Sequence, residues 1–330
     1  MNAPSEQPES TRLEVPLSED LTEELIGLWE ATFETSYDGF RNVLAAGESA
    51  QNRDTIYLIR KGESLGGTCH LTVSRSNPGL GGLGEVATPP EFRRMGIATA
   101  LCADACEDFR RQGGRALFLG TVNPEAARVY ARLGWRKLAG ATVMALITNG
   151  DSPEAFLVDT FRESGPVTVA PTTAAERIPM VPLLLTPHDW QVLDANTGMF
   201  STRYAIQHSC MGLYPRYEAL RREGRGAWFG ARTDRGLLVG LSTARLDRSD
   251  RCQVDGFVHQ NASAAWEDLL QAAVRWGVEQ GAPLCQARLS VEDEEKRSRF
   301  ESLGFHAAGT GEAFDLDGRQ VASIRLERRP

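Results

Sequence analysis

The feature that most constrains this chain is that its second half repeats its first. The segment RLGWRKLAG at Arg132–Gly140 has a counterpart in SLGFHAAGT at Ser302–Thr310, and superposing Gly134 on Gly304 sets an offset of 304 − 134 = 170. At that offset the apolar stretch Ala116–Val122 falls on Gln286–Glu292, and the helix before Gly134 falls on Glu294–Leu303. Trp266, Leu270, Val274 and Val278 repeat the every-fourth-residue stripe of Ile97, Leu101, Ala105 and Phe109. Several elements in one order at nearly one offset point to duplication of a whole folding unit. A chain of 330 residues has room for two domains. We expect them at 11–148 and 165–330. The joining segment 149–164 loses periodicity and carries the turn pairs Asn149–Gly150 and Ser152–Pro153.

The first copy reads as alternating short elements. Strands are expected at Leu13–Leu17, Thr55–Arg60 and Thr68–Ser74, the last two about a turn at Lys61–Gly62–Glu63. Leu21, Leu25, Leu28 and Trp29 mark a helix over Leu21–Phe33, and a short helix is expected near Phe40–Ala46. Ser76–Gly82 reads as a Pro/Gly-rich loop, followed by a short strand at Glu85–Thr88. A helix over Gly96–Gln112 stops at Gly113–Gly114. A strand at Ala116–Val122 leads to Asn123 as N-cap and Pro124 as first residue of a helix ending at Gly134; strands return over Trp135–Ile147.

The segment VATPPEFRRMGIATAL, Val86–Leu101, carries most of the chemistry. It is a strand, a Pro-bounded turn and a helix start. A helix N-terminus exposes unpaired amides and partial positive charge. Arg93-x-x-Gly96-x-Ala98 puts small residues where backbone must lie against a ligand, and Arg93 and Arg94 add charge. The product is a site for a pyrophosphate. An ordinary helix start would use the same Gly, so the context must decide.

That context resembles motif A of the GNAT superfamily of acyl-CoA transferases, of the form (R/Q)-x-x-G-x-(G/A), which holds the pyrophosphate of coenzyme A. Pro90-Glu91-Phe92-Arg93 is similar to the superfamily's P-E-Y-R, and Val86-Ala87-Thr88 to the strand that hydrogen-bonds the pantetheine arm. The segment from Asn123 to Trp135 resembles the second signature, N-x-x-A-x-x-x-Y-x-x-x-G-F, with Tyr130 at its tyrosine. The match covers Leu13–Ile147 in element order and the second half more loosely. The resemblance implies an α/β (α+β) fold: two GNAT domains in tandem, each a mixed, mostly antiparallel sheet flanked by helices. It implies acetyl-CoA as co-substrate. The implied contacts are Val86, Ala87, Thr88, Arg93, Arg94, Met95, Gly96, Ile97, Ala98, Thr99, Asn123 and Tyr130.

The chemistry asked of Tyr130 stands apart from the family. Aminolysis of a thioester expels a thiolate whose thiol has a pKa of about 8.5. A phenol is still protonated at neutral pH and can hydrogen-bond to that sulfur or protonate it. A core tyrosine packed on the sheet is the plain alternative. A primary ammonium, with a pKa of about 10.4, must lose a proton before attack. Glu85 is the first candidate for that base, with His70, Asp38 and Glu34 behind it. Some members of the family carry a Glu on the strand before the Asn cap; here Leu117–Thr121 holds no acid, which leaves the base open.

The second copy has lost these parts. Asn123 becomes Asp293 and Tyr130 becomes Phe300 (293 − 123 = 300 − 130 = 170). Asn261–Asp268 contains no Gly, Arg or Lys, and Glu267 and Asp268 would repel a pyrophosphate. This copy is expected to keep the fold without binding coenzyme A, serving as a scaffold or pocket wall. The aromatic stretch Trp190–Tyr217 is either such a wall or packed core.

Composition narrows the rest. A net charge of −8 argues against nucleic acid and is compatible with a cationic acceptor. No apolar run is long enough for a membrane span. The polar start MNAPSEQPES lacks a signal-peptide pattern and reads as a short mobile tail. Six cysteines with no zinc-finger or redox spacing read as free thiols in a reducing cytoplasm, and the five histidines form no metal-ligand cluster. The reading is a cytoplasmic N-acetyltransferase acting on a small-molecule amine, monomeric or homodimeric, without metal. The same loop would serve O- or S-acyl transfer, thioester decarboxylation, or a non-catalytic acetyl-CoA-binding module. Tyr130 argues against the last, because binding alone does not need the phenol.

Overall fold

The computed structural model describes residues 10–162 and 165–329. The tail 1–9 and residues 163–164 of the joining segment lie outside the described residues. The chain divides into two compact units. The first runs to Lys137 and resumes over Val143–Pro153; the second holds Leu138–Thr142 and the chain from Glu154 onward.

The first unit contains β1 (Thr11–Glu14), α1 (Glu19–Phe33), α2 (Arg41–Leu44), β2 (Asn52–Lys61), β3 (Ser64–Ser74), β4 (Leu80–Ala87), α3 (Ile97–Arg111), β5 (Ala116–Gly120), α4 (Pro124–Arg132), β6 (Arg136–Lys137) and β7 (Val143–Ile147). They form one seven-stranded sheet in the order β1-β2-β3-β4-β5-β7-β6. Its pairings are antiparallel except β4 with β5, which is parallel. Capping residues sit where the sequence has them. The Ser18 side chain accepts from Leu21 N–H at the start of α1, and Asn123 Oδ1 accepts from Glu125 N–H at 2.8 Å and Ala126 N–H at 3.4 Å to open α4.

Alternation along β3 divides the core between the two faces of the sheet. Cys69, Leu71 and Val73 pack with Ile97, Leu101, Phe109 and Tyr130 on the α3 and α4 side. Leu25, Trp29, Leu44, Ile56 and Leu58 form the cluster on the α1 side, with Tyr37 and Phe40 against it.

One strand differs from expectation. The glycines of Ser76–Gly82 suggest a loop, yet β4 already begins at Leu80 and ends at Ala87. A Cβ on Gly81 would meet Leu117 Cδ2 at 2.7 Å and the Phe109 ring at 3.0 Å. Glycine is therefore demanded there by close packing of β5 and α3 on the strand, not by a turn.

The second unit contains α5 (Pro153–Thr160), β8 (Val167–Pro171), α6 (Met180–Leu185), β9 (Val192–Asp194), β10 (Met199–Phe200), α7 (Leu213–Arg222), β11 (Gly226–Thr233), β12 (Leu238–Leu246), β13 (Cys252–Val258), α8 (Trp266–Glu279), β14 (Cys285–Ser290), α9 (Glu294–Ser302), β15 (His306–Leu316) and β16 (Arg319–Arg328). The helix α5 lies inside the segment expected to be irregular, with Phe156, Leu157 and the following Phe161 buried. The large sheet runs β8-β11-β12-β13-β14-β16-β15, the same order as the first unit, with β13 and β14 as its parallel pair. The same strand order thus occurs twice along the chain. Among the described residues no helix is long and apolar enough to cross a membrane.

Candidate active site

The parallel pair β4–β5 is paired only at Leu80–Gly82 with Ala116–Phe118. Beyond Gly82 the two strands part, although β4 continues to Ala87 and β5 to Gly120. The parting coincides with a bulge. The register of β4 on β3 shifts between Thr68↔Ala87 and His70↔Gly84, and Glu85 takes a φ of 47°. A short chain of bonds pins the bulge: Trp29 Nε1 donates to Thr68 Oγ1 at 3.0 Å, which donates to the Glu85 carbonyl at 2.8 Å. A backbone edge opened in this way can accept an extended ligand as an additional strand.

The chain then turns through Pro89–Gly96 into α3. Arg94 and Gly96 both lie in the left-handed region, at φ 67° and 79°. The first intrahelical bond runs from Ala100 N–H to the Gly96 carbonyl, so the amides of Ile97, Ala98 and Thr99 have no intrahelical acceptor. The first turn carries no acid, and Arg93, Arg94, Met95 and Gly96 are exposed. Arg93 Nε donates to the Thr88 carbonyl at 3.2 Å, which uses one of its five donors. Thr88 Oγ1 is buried without a hydrogen-bond partner. Open amides, two arginines and an orphaned hydroxyl are a donor set that fits the diphosphate and the first amide of a pantetheine nucleotide. Met95 and Val122, 52% and 76% exposed, add apolar surface to the loops that follow β4 and β5.

Tyr130 reaches the sheet from the α3 side, 6% exposed, with its ring 6.2 Å from Trp135. Burial, followed by Cys102 and Cys69, pushes its phenol pKa up, so the proton is held across the physiological range. Glu85 lies on the other face. Its Oε2 is 2.9 Å from His70 Nδ1, and burial, followed by the charge of the same carboxylate, makes the Tyr37 phenol hold its proton more tightly. His70 in turn places Nε2 2.8 Å from Asp54 Oδ1, which also accepts from Thr72 Oγ1 at 2.7 Å. Glu85 and His70, two of the candidate bases, thus belong to one buried cluster. Asp38 is exposed and paired with Arg41, and Glu34 is exposed at the end of α1; neither joins it. Asn123 is occupied as a cap. The sequence reading missed Asp54, Tyr37 and Thr72, although Thr68, His70, Thr72 and Ser74 form a polar stripe at every second position of an otherwise apolar strand.

The corresponding place in the second unit is filled by the chain itself. β13 and β14 pair only at Cys252–Cys285 and Gln253–Gln286. Beyond that point, Asp255 Oδ2 accepts from Ala195 N–H at 2.7 Å, just past β9, and Gln253 O accepts from Asn196 Nδ2 at 3.1 Å. Asp293, at the position of Asn123, makes no cap; its carboxylate accepts from Gln191 N–H at 2.7 Å and Val192 N–H at 3.1 Å. Lys296 Nζ bonds the carbonyls of Val192 and Leu193 and pairs with Asp255 at 2.6 Å, with both side chains buried. Asp255 stands 255 − 85 = 170 positions after Glu85, so the acid persists but is tied to a lysine. Phe300 is fully buried, and Glu267 and Asp268 occupy the first turn of α8. Within the stretch Trp190–Tyr217, Val192, Leu193, Met199, Leu213 and Tyr217 are buried core, while Ile206 is 50% exposed.

The family model described as Acetyltransferase (GNAT) family matches residues 17–135. Acetyltransferase Atu2258 of Agrobacterium fabrum is 34% identical over 93 residues, covering 24% of this chain and 68% of the relative. The chain belongs to the GNAT acetyltransferase family. This GNAT protein is an acyl-CoA N-acyltransferase that uses acetyl-CoA. Among solved structures it overlays on an N-acetyltransferase of Staphylococcus aureus Mu50 with a TM-score of 0.40 and 13% identity, over 50% of this chain and 99% of that one. A phosphinothricin acetyltransferase of Sinorhizobium meliloti in complex with acetyl-CoA gives 0.40 and 15%, over 49% and 88%.

Proposed function

We propose that this GNAT enzyme moves the acetyl group of acetyl-CoA to a primary amine of a small molecule by direct attack, in its N-terminal unit. What carries the reading is the parted strand pair β4–β5 leading into the uncommitted amides of Ile97, Ala98 and Thr99. In this reading those amides, with Arg93 and Arg94, hold the diphosphate, while the edge Val86–Thr88 holds the pantetheine arm. Acetyl-CoA supplies the activated acyl group. Glu85 takes a proton from the acceptor's ammonium, freeing its lone pair to attack the thioester carbonyl. Tyr130 hydrogen-bonds to the departing sulfur and supplies the proton of the free thiol. Overall, ammonium and thioester become amide, thiol and one released proton.

The filled slot of the second unit supports assigning the chemistry to the first. The second unit then keeps the fold without binding coenzyme A. Six free, buried cysteines favour a cytoplasmic location in this reading.

The test is thiol release from acetyl-CoA by the full chain against a panel of amino acids, polyamines and aminoglycosides, with the product identified by mass. Amine-dependent thiol release with an N-acetyl product is expected. Release that is equally fast with alcohols or thiols, or acyl-CoA decarboxylation without acceptor, would contradict the proposal.

A further inference from the structure

The imidazole of His70 lies between two carboxylates, with Glu85 Oε2 at 2.9 Å from Nδ1 and Asp54 Oδ1 at 2.8 Å from Nε2. An ionised carboxylate only accepts hydrogen bonds, and a neutral imidazole has a single N–H. In either neutral tautomer one ring lone pair would face a carboxylate oxygen. Only the doubly protonated ring satisfies both contacts while both acids are ionised. The groups around the ring agree. Thr72 Oγ1 donates to Asp54 and lies 3.1 Å from Nε2, and the Phe40 ring meets the imidazole edge-on at 5.2 Å. Tyr37 brings a phenol to Glu85 from the segment after α1. Asp54 and Glu85 are the charged groups that face His70.

We infer that Asp54 and His70 form a buried positioning pair that clamps the Glu85 carboxylate through a charge-assisted hydrogen bond, and that turnover requires His70 as imidazolium. The inference rests on the reading of Glu85 as base. Burial works against the cation, but hydrogen bonds and charge from Asp54 and Glu85 outweigh it, and the His70 pKa is raised. The pair does not relay protons to water, because His70 is fully buried and the Asp54 side chain is 1% exposed. Its action on Glu85 is one of charge and orientation. His70 uses one of about four acceptor positions on the carboxylate, leaving others for an ammonium.

The signs follow from His70 alone. As pH rises through its raised pKa the ring loses a proton, one carboxylate loses its donor, and Glu85 is released. The alkaline limb of the kcat profile therefore reports His70. Asp54→Asn removes one of the two supporting charges and should move that limb to lower pH by about one unit. His70→Asn keeps a neutral donor near Nδ1; kcat should fall about tenfold or more, with the acetyl-CoA KM within about twofold. Adding Asp54→Asn to it should change little further.

The assay uses the full chain, acetyl-CoA and the best amine of the panel above. Lowered turnover in both variants with the alkaline limb of Asp54→Asn still at its wild-type pH would make the pair merely structural and overturn the inference. Glu85→Gln separates the two claims. Near-wild-type turnover there removes Glu85 as base, whereas an inactive Glu85→Gln with an unmoved limb in Asp54→Asn sinks only the positioning pair. Should a variant fail to fold or turn over, the ¹⁵N shifts of the His70 ring in the wild-type chain decide. Two protonated nitrogens at pH 7 are expected; one unprotonated nitrogen refutes the inference.

Discussion

The helix α3 carries its own control for the phosphate-site assignment. Gly96 precedes its first turn and Gly113 follows its last. Both adopt a φ of 79°, and at both an added Cβ would meet nothing within 4 Å. Replacing either by alanine therefore introduces backbone strain without a clash, about 1–2 kcal/mol for a residue forced to stay left-handed. In a unit of this size that corresponds to roughly 2–4 °C of melting temperature per kcal/mol. The two variants should melt within a few degrees of each other. They should part on acetyl-CoA binding. At Gly96 the methyl stands beside the free amides of Ile97–Thr99, and any relaxation out of the left-handed region swings the Gly96–Ile97 peptide. Losing one amide bond to a charged phosphate oxygen costs about 1.5–3 kcal/mol, or roughly 10- to 100-fold in affinity. Calorimetric titration with acetyl-CoA should show that loss for Gly96→Ala and near-wild-type affinity for Gly113→Ala. Equal affinities in both variants would refute the reasoning, since stability alone would then explain everything.

Other consequences can be checked separately. Tyr130→Phe should lower kcat about 10²- to 10⁴-fold with acetyl-CoA affinity nearly unchanged in calorimetry; unaltered kcat would remove its acid role. Lys296→Met leaves Asp255 buried without its cation and should destabilise the second unit by about 3–5 kcal/mol, read as faster hydrogen exchange in β9 and β13. Burial first, then the charge of Asp255, push the Asp194 carboxyl up to about 7. A proton held more tightly in the fold than in the unfolded chain stabilises at low pH. That stability is lost as pH rises from about 4 through about 7, and Asp194→Asn should flatten denaturant midpoints across this window. Thr68→Val removes the hydroxyl that joins Trp29 to the Glu85 carbonyl and should lower kcat more than it lowers the melting temperature.

Legibility from sequence followed the locality of the interactions. The Asn123 cap, the α3 start and the Tyr130 position are fixed by neighbours within a dozen residues, and spacing along the chain is enough to find them. The offset of 170 carried the duplicated strand order, because each element kept its place. β4 was obscured because Gly81 is demanded by Leu117 and Phe109, which are distant in the chain. Asp54 and His70 meet only through the β2–β3 register, which sets Asp54 opposite Thr72 and Ile56 opposite His70. Their sole trace was the polar stripe along β3. The filling of the second slot by β9 depends on Lys296, Asp255 and Asp293 converging from separate elements, and no periodicity encodes that.

The most direct measurement is a crystal structure of the full chain soaked with coenzyme A. The account predicts the diphosphate within hydrogen-bond reach of the amides of Ile97, Ala98 and Thr99, with the pantetheine arm running between β4 and β5. A diphosphate bound elsewhere, with those amides still turned to water, would contradict it.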